Sequence, residues 1–448
     1  MTSQALSVLG GLDDHSPPAI AGAIARAIRV GELVEGDRLP TVREVAALLG
    51  VSPATVSSAW QALQRNGSVV TRGRAGTFVA VPPRGWLSPR VRHLRGDEPT
   101  DLRLDLSRGT PDPDLLPAIG PSLGRVSARA ATEGYQESPV LPQLREQLER
   151  VWPFPAETIT IVDGATDGVA LALEQVVGYG DRVAVESPGF PPVFDLVEAL
   201  GAQVVPVELD QDGMTPASLR AAVAEEPVAV VLQPRAQNPT GTSLTPQRAA
   251  ELAKVLAAAP HRPVVIEDDH SGPVSGRPQV SLGRYLPDRV VHVRSYSKSH
   301  GPDLRIAALG GPADLVEPII ARRMLGPGWT SRMVQTILHD LLTAAQPMEE
   351  VAEAGRQYFC RQRDLVARLA ELGLELPVPD GINIWVPVRD ERAALVHLAA
   401  ADIRAAPGSP FFPGGDGDPH VRLTTGLVRT EELEHVATAL VAAARATG

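Results

Sequence analysis

Of the 42 basic residues in this chain of 448, only two are lysines, Lys254 and Lys298. A guanidinium keeps its proton throughout the physiological range, whereas a primary amine with a lowered pKa is a nucleophile that can form a Schiff base. A sequence that writes arginine wherever it needs positive charge marks its lysines as candidates for covalent chemistry. Lys254, in Glu251-Leu252-Ala253-Lys254-Val255-Leu256, reads as a solvated helix position. Lys298 lies in Ser295-Tyr296-Ser297-Lys298-Ser299-His300-Gly301-Pro302-Asp303-Leu304-Arg305, just after the apolar run Val290–Val293, and strand ends are where α/β sheets place ligands. Arg305 is a fixed cation able to neutralise a phosphate beside the lysine, and Ser295 and Ser297 add hydroxyl donors.

Further stretches carry groups suited to an aromatic, phosphorylated ligand, each with a plainer reading beside it. The run Thr158–Val162 leads into Asp163-Gly164-Ala165-Thr166-Asp167-Gly168. Those small residues open a helix and can expose backbone N–H groups to an anion, although most such turns bind nothing. Asp268 follows Val264-Val265-Ile266-Glu267. A carboxylate there can pair with a protonated ring nitrogen and make the ring an electron sink, or it is a strand-end acid facing solvent or an arginine. Asn238, in Gln237-Asn238-Pro239-Thr240-Gly241, can donate to a phenolic oxygen or simply open an Asn-Pro turn. Phe190, in Glu186-Ser187-Pro188-Gly189-Phe190-Pro191, can stack on a ring or fill the core.

The elements that must position these residues form an α/β pattern. Apolar runs at 158–162, 182–186, 204–207, 228–233, 264–267, 290–293 and 306–309 alternate with Ala/Leu-rich helical stretches. Continuous Val/Ile runs separated by helices predict a mainly parallel sheet. A smaller α+β part is expected after a helix over 350–372, with a strand at 421–425 and a last helix at 430–444. No internal repeat is evident.

The N-terminal stretch is different in charge and pattern. Between Arg38 and Arg84 lie six arginines and a single acid, Glu44, although the whole chain carries a net charge of −11. That asymmetry points to a nucleic-acid-facing module attached to an acidic partner domain. Residues 1–14 are weakly patterned and are expected to be loose. Helices are expected over 19–30, 41–49 and, capped by Ser52 with Pro53 in its first turn, 52–65. Two short strands around a Gly/Arg tip follow at 67–79. These are helix-turn-helix proportions with a wing. Ser52, Pro53, Ala54, Thr55 and Ser57 would face base edges or phosphates in the major groove. Arg43, Arg72 and Arg74 suit phosphate contacts, and Gly76 lets the wing tip approach the DNA backbone. A small helical cap with a solvated arginine face is the alternative. Residues 82–105, rich in Pro, Arg and Gly, read as a linker. The expected domains are therefore 15–81, 82–105 and 106–448.

Three segments, 36–46 (Gly-Asp-Arg-Leu-Pro-Thr-Val-Arg-Glu-Val-Ala), 49–56 (Leu-Gly-Val-Ser-Pro-Ala-Thr-Val) and 73–79 (Gly-Arg-Ala-Gly-Thr-Phe-Val), closely resemble the winged helix of GntR-type regulators. Residues 106–448 resemble fold-type I pyridoxal-phosphate enzymes, the aspartate aminotransferase class. That resemblance implies that Lys298 holds pyridoxal 5'-phosphate (PLP) as a Schiff base, Asp268 pairs with its ring nitrogen, Asn238 contacts the 3-hydroxyl and Phe190 stacks on the ring. It further implies that Gly164, Ala165, Thr166, Ser295 and Arg305 hold the phosphate. Arg422, in His420-Val421-Arg422-Leu423, matches the arginine that grips a substrate carboxylate. There are two departures. His270 stands where the family usually has a tyrosine at the phenolic oxygen, and Tyr135 is followed by Gln136 rather than glycine.

A winged helix-turn-helix, a linker and an aminotransferase-like domain together resemble the MocR subfamily of GntR-like regulators. The implied function is a homodimeric transcriptional regulator that binds a double-stranded DNA operator. A small amino effector would take the cofactor from Lys298 by transaldimination and alter DNA binding. An active aminotransferase with an accessory head, a regulator that senses PLP itself, and a DNA-binding protein with a cofactor-free scaffold are the alternatives. The single cysteine, Cys360, excludes an internal disulfide and any multi-cysteine metal site. No leader pattern appears and no apolar run approaches the roughly 20 residues that span a bilayer, so a cytoplasmic location is expected.

Overall fold

The computed structural model describes residues 2–12, 14–65, 68–71, 73–80, 87–95, 102–126, 134 and 136–447, with the side chains of 2–4, 65, 74 and 95 excepted. The chain divides into two compact units, one holding residues 1–89 and 197–202 and the other residues 90–196 and 203–448.

In the first unit, four helices (Thr2–Leu9, Pro17–Arg29, Val42–Leu49 and Pro53–Arg65) precede a hairpin of β1 (Val69–Thr71) and β2 (Thr77–Val79). The helix starts follow from local chemistry. Ser16 accepts from the Ala19 N–H, and Thr41 and Glu44 form a reciprocal capping box. Gly50, at φ 66°, ends helix Val42–Leu49 in the left-handed conformation that lets the chain turn tightly into the next. Ile20, Ile24, Val45, Val56, Trp60 and Leu63 form the core, and the Trp60 indole N–H donates to Pro40 O at 3.3 Å. The expectation for residues 1–14 needs correcting. Ala5 and Leu9 are fully buried in this core, so helix Thr2–Leu9 belongs to the module, and its two inward positions were too few to show a period.

The second unit is built on an eight-stranded sheet: β4 (Thr158–Val162), β5 (Arg182–Ser187), β6 (Gln203–Asp210), β7 (Gly213–Met214), β8 (Ala229–Leu232), β9 (Val264–Asp269), β10 (Val290–Ser295) and β11 (Ala307–Gly311), in the order β4-β11-β10-β9-β8-β5-β6-β7. The central pairs β10–β9, β9–β8, β8–β5 and β5–β6 are parallel, whereas β11 runs antiparallel to both its neighbours. The 27-residue helix Ala345–Glu371 leads into a smaller part, with β12 (Ile384–Pro387), β15 (His420–Leu423) and β14 (Ala406–Pro407) in one sheet and helix Leu433–Arg445 closing the chain.

Part of the expected linker is ordered on this unit. Helix Pro89–Arg95 is tied down through Arg90, which donates to Asp195 Oδ1 at 2.8 Å and Pro413 O at 2.9 Å. Leu104–Asp105 forms β3, parallel to β13 (Ile403–Arg404). Single arginine anchors and two-residue strands leave no periodicity to read.

Candidate functional site

Lys298 sits in a single helical turn, Ser297–His300, at the carboxyl end of β10. Its Nζ donates to Gly109 O at 2.6 Å. Burial, with the Arg422 charge nearby, lowers the amine from 10.5 to about 8, against an opposing pull from Asp268. At pH 7 about a tenth of the side chain is then neutral, some 300-fold more than for an ordinary lysine.

Beside it, Asp268 is 3% exposed near the end of β9. Its Oδ2 accepts from Gln233 Nε2 at 2.8 Å, while Oδ1 is buried with no partner among the described residues. Burial pushes this carboxyl above the usual aspartate value, and the His270 and Lys298 charges pull it back. An acid in that position lacks a cationic N–H directed at its free oxygen. The Gln233 amide oxygen also accepts from the Asn238 N–H at 2.8 Å, so one side chain ties both residues together. Glu186, fully buried below them, is pushed up to about 8 by desolvation and accepts from the Gln233 N–H.

His270 places Nε2 at 2.8 Å from Ala236 O. A carbonyl only accepts, so Nε2 carries a proton; burial lowers the imidazole's pKa against the pull of the Asp268 charge, and in the neutral form Nδ1 is left as an acceptor. The imidazole therefore replaces a tyrosine hydroxyl only toward a protonated phenolic oxygen. Phe190 is half-buried in the loop after β5, whose Gly189 N–H donates to Phe411 O at 2.8 Å.

Arg422, on β15, is 3% exposed and has no carboxylate within ion-pair distance among the described residues. It donates to Asn238 Oδ1 at 3.3 Å and to Ser107 O, lies 5.3 Å over the Phe411 ring, and keeps Nε unpartnered. Burial lowers its pKa to about 10. A buried guanidinium without a counter-ion is costly and calls for an anion from outside the chain.

A second cluster lies at the start of helix Ala165–Val176, which opens with Ala165 and Thr166. Gly164, at φ 105°, lies so close to Arg305 that a Cβ there would be 2.8 Å from Nη2, and that nitrogen donates to Asp163 O at 3.1 Å. A helix N-terminus with exposed amides and an arginine across it is an anion cradle. Ser295 Oγ, at the end of β10, accepts from the Ser297 N–H at 3.2 Å. A lysine whose amine is lowered to about 8, an acid with one free oxygen, the Asn238 and His270 side chains and an anion cradle fit what PLP requires for its aldehyde, ring nitrogen, phenolic oxygen and phosphate.

Sequence reasoning singled out Lys298, Asp268, Asn238, His270 and Arg422, which the fold brings into one site. It missed Gln233, Glu186 and Gly109. Gln233 directly follows β8, and a polar residue ending an apolar strand was the available signal. Gly109 contributes only a carbonyl, which no residue type announces.

In the N-terminal unit, Ser52 caps helix Pro53–Arg65, its Oγ accepting from the Thr55 N–H at 3.2 Å and lying 2.9 Å from Thr55 Oγ1. Arg43, Pro53 and Ala54 are exposed, whereas Thr55 and Ser57 are half-buried. Gly76 has a local role not foreseen: its missing Cβ makes room for Arg38, whose Nε would lie 2.8 Å from it. Arg72 lies outside the described residues, as do Tyr135 and the Arg74 side chain.

Comparison with known proteins agrees with both units. The model for bacterial regulatory proteins of the gntR family matches residues 18–79, and that for aminotransferase class I and II matches 103–440. The chain is 32% identical over 433 residues to the vitamin B6 salvage pathway transcriptional repressor PtsJ of Salmonella typhimurium, covering 95% of this chain and 98% of that protein. It is 29% identical to the pyridoxine biosynthesis transcriptional regulator PdxR of Corynebacterium glutamicum over 67% of this chain and 68% of that one. The multiple substrate aminotransferase of Thermococcus profundus has the same fold in the larger unit, with a TM-score of 0.71 at 20% identity, covering 81% of this chain and 95% of that chain. The chain belongs to the MocR subfamily of GntR-type transcriptional regulators, in which a winged helix-turn-helix is joined to a fold-type I aminotransferase-like domain.

Proposed function

We propose that this protein is a PLP-dependent DNA-binding regulator in which an amino effector, captured between Lys298 and Arg422, changes how the winged helix engages its operator. The observation that carries the reading is that Lys298 and Arg422 reach the same short segment, through Gly109 O and Ser107 O. A ligand bearing both an amine and a carboxylate would meet both side chains. When bound, PLP offers an aldehyde carbon that one amine can hold and a second can claim. Lys298 supplies the first amine, Gly109 O receives its ammonium once displaced, Asp268 holds the ring nitrogen through Oδ1, and Arg422 orients the effector's carboxylate. Asn238 and Phe190 complete the ring site. Gly164, Ala165, Thr166, Ser295, Ser297 and Arg305 hold the phosphate.

The DNA contacts follow from the first unit. Ser52, Pro53, Ala54, Thr55 and Ser57 would read the major groove from the start of the recognition helix, and Arg43, Arg72, Arg74 and Gly76 would serve contacts to phosphates. The protein acts as a homodimer, with two heads reading paired half-sites. An apolar surface supports this. Ile119 and Leu123, 42% and 50% exposed, lie at helix Gly120–Arg125, and Met333, 60% exposed, lies on helix Arg332–Thr343, which packs beside it; Leu325, 84% exposed, follows helix Ala313–Met324.

The test is a visible spectrum of the purified protein with PLP, followed by titration with amino compounds and parallel operator-binding measurements. The reading expects a cofactor band that disappears in Lys298→Ala, and an effector that shifts the band and the operator affinity together. Absence of a band in the wild type with PLP supplied refutes it. Multiple turnovers of an amino donor to a keto acid would instead favour an aminotransferase. A second reading, in which PLP itself is the signal, is favoured by the vitamin B6 roles in the names of PtsJ and PdxR. It expects operator affinity to respond to PLP alone and to be indifferent to Arg422→Ala.

A further inference from the structure

Two acids flank the anion cradle, at the position least suited to binding a phosphate. Asp163 immediately precedes Gly164, and Asp167 lies in the first turn of helix Ala165–Val176. Both are attracted to the positive end of that helix, the same field that would hold a phosphate. Left alone, two carboxylates would oppose a dianion there, with Arg305 the only cation named so far.

Arg323, from helix Ala313–Met324, changes that balance. Its side chain is 5% exposed, against 45% and 34% for the Asp163 and Asp167 carboxylates. It divides its guanidinium between them, with Nη2 donating to Asp163 Oδ2 at 3.1 Å and Nη1 to Asp167 Oδ2 at 2.8 Å. Thr330 completes the ring. It donates from Oγ1 to Asp163 Oδ1 at 2.6 Å and receives a bond from Arg323 Nη2 at 3.2 Å. Asp167 Oδ2 also accepts from the Asp163 N–H at 3.0 Å, which fixes the turn. Arg305 is left on the other side of the turn, donating to the Asp163 carbonyl rather than to either carboxylate.

We propose that Arg323 is a positioning residue for the cofactor phosphate: it engages Asp163 and Asp167 so that the helix N-terminus and Arg305 are left for the anion. This rests on the reading of 164–166 and Arg305 as the phosphate cradle. The role is electrostatic, and two predictions separate it from a merely structural one. It concerns the phosphate and not the rest of the cofactor, and it disappears when the acids lose their charge.

The experiment compares PLP with pyridoxal, which has a hydroxyl in place of the phosphate ester, on the full-length chain by equilibrium dialysis and by the Lys298-dependent visible band. Arg323→Gln should weaken PLP by roughly tenfold or more while changing pyridoxal little. Adding Asp163→Asn and Asp167→Asn to that variant should restore PLP binding. Equal weakening for both ligands, or no restoration in the triple variant, overturns the proposal. Should Arg323→Gln fail to fold, the Asp163→Asn/Asp167→Asn double variant with Arg323 intact decides. PLP binding at least as tight as wild type supports the proposal, and weaker binding with pyridoxal unchanged overturns it. If wild type forms no Lys298-dependent band with either compound, the cradle reading itself fails and takes this proposal with it. A wild type that binds PLP beside an unaffected Arg323→Gln removes only the role of Arg323.

Discussion

Replacing Arg422 with methionine should separate what this residue costs the free protein from what it does for a ligand. The guanidinium is buried, unpaired with any acid among the described residues, and lowered from the ordinary arginine value to about 10 by desolvation alone. At 1.36 kcal/mol per pKa unit that is a penalty of about 3 kcal/mol carried by the folded state. Its contacts with Asn238 Oδ1, Ser107 O and the Phe411 ring offset part of it. Exchanging a buried charge for an apolar side chain of similar volume is often neutral or stabilising. Arg422→Met, free of ligand, should therefore unfold in urea with a stability equal to wild type or up to ~2 kcal/mol above it. The loss should appear in binding. An amino acid whose carboxylate meets Arg422 should lose about 2–4 kcal/mol, a factor of roughly 30–1000. The amine obtained by removing that carboxylate should bind wild type and variant alike. The assay titrates the cofactor band with an amino acid and its decarboxylated amine, in both proteins. If Arg422→Met keeps the wild-type preference for the carboxylate, or is less stable than wild type by more than ~1 kcal/mol, the uncompensated-charge reasoning fails.

Three further outcomes can be checked. The Lys298 amine titrates near 8 in the folded chain and 10.5 when unfolded. Between those values the unfolded state holds a proton the folded state has lost, so cofactor-free stability should rise with pH across that window by up to about 3 kcal/mol; below pH 8 the full penalty persists. Urea unfolding of Lys298→Met should lack that rise, and an equal slope in both proteins would contradict the shift. Gly164→Ala puts a Cβ 2.8 Å from Arg305 Nη2 at φ 105°, a strain of about 1–3 kcal/mol; dialysis should show PLP weakened by roughly tenfold, and unchanged affinity would place the phosphate elsewhere. Leu9→Ala removes a fully buried side chain from the first unit and should cost about 2–4 kcal/mol, read as faster amide exchange across residues 17–65.

The strands were readable because they are buried on both faces: β8 is buried at every position and is an unbroken apolar run, and β10, equally buried, opens with Val290-Val291 before placing His292 and Arg294 against buried acids of β9. Lys298, Asp268 and Asn238 stood out as residues of a specific type at a strand end or tight turn, whereas Arg422, inside β15, was marked only by the resemblance. What escaped was whatever depends on partners distant in sequence. Gln233 is an ordinary polar residue until Asp268 and the Asn238 N–H fix both ends of its amide. Arg323 looks like a solvated helix arginine, yet its guanidinium is 5% exposed because two acids some 160 positions earlier enclose it. Helix Thr2–Leu9 and strand β3 were missed for the opposite reason, since each is too short for its periodicity to rise above chance.

The charges in the site add up only if a ligand is counted. Arg422 is positive with no acid opposite it among the described residues, Arg305 faces a helix N-terminus, and the Lys298 amine is lowered to about 8 by its surroundings. Against them stand Asp268, with one oxygen unpartnered, and Glu186, which burial keeps protonated at neutral pH. A molecule that fills this arrangement must bring a dianion to Arg305, a cationic ring N–H to Asp268, an electrophilic carbon to Lys298 and, for the second step, a carboxylate to Arg422. The first three belong to one compound and the fourth to another. On the proposed reading two ligands together neutralise the site, so the second would report on the first. That arrangement serves a catalyst and a sensor equally well. The DNA-binding unit at the other end of the chain is what gives the sensor something to control.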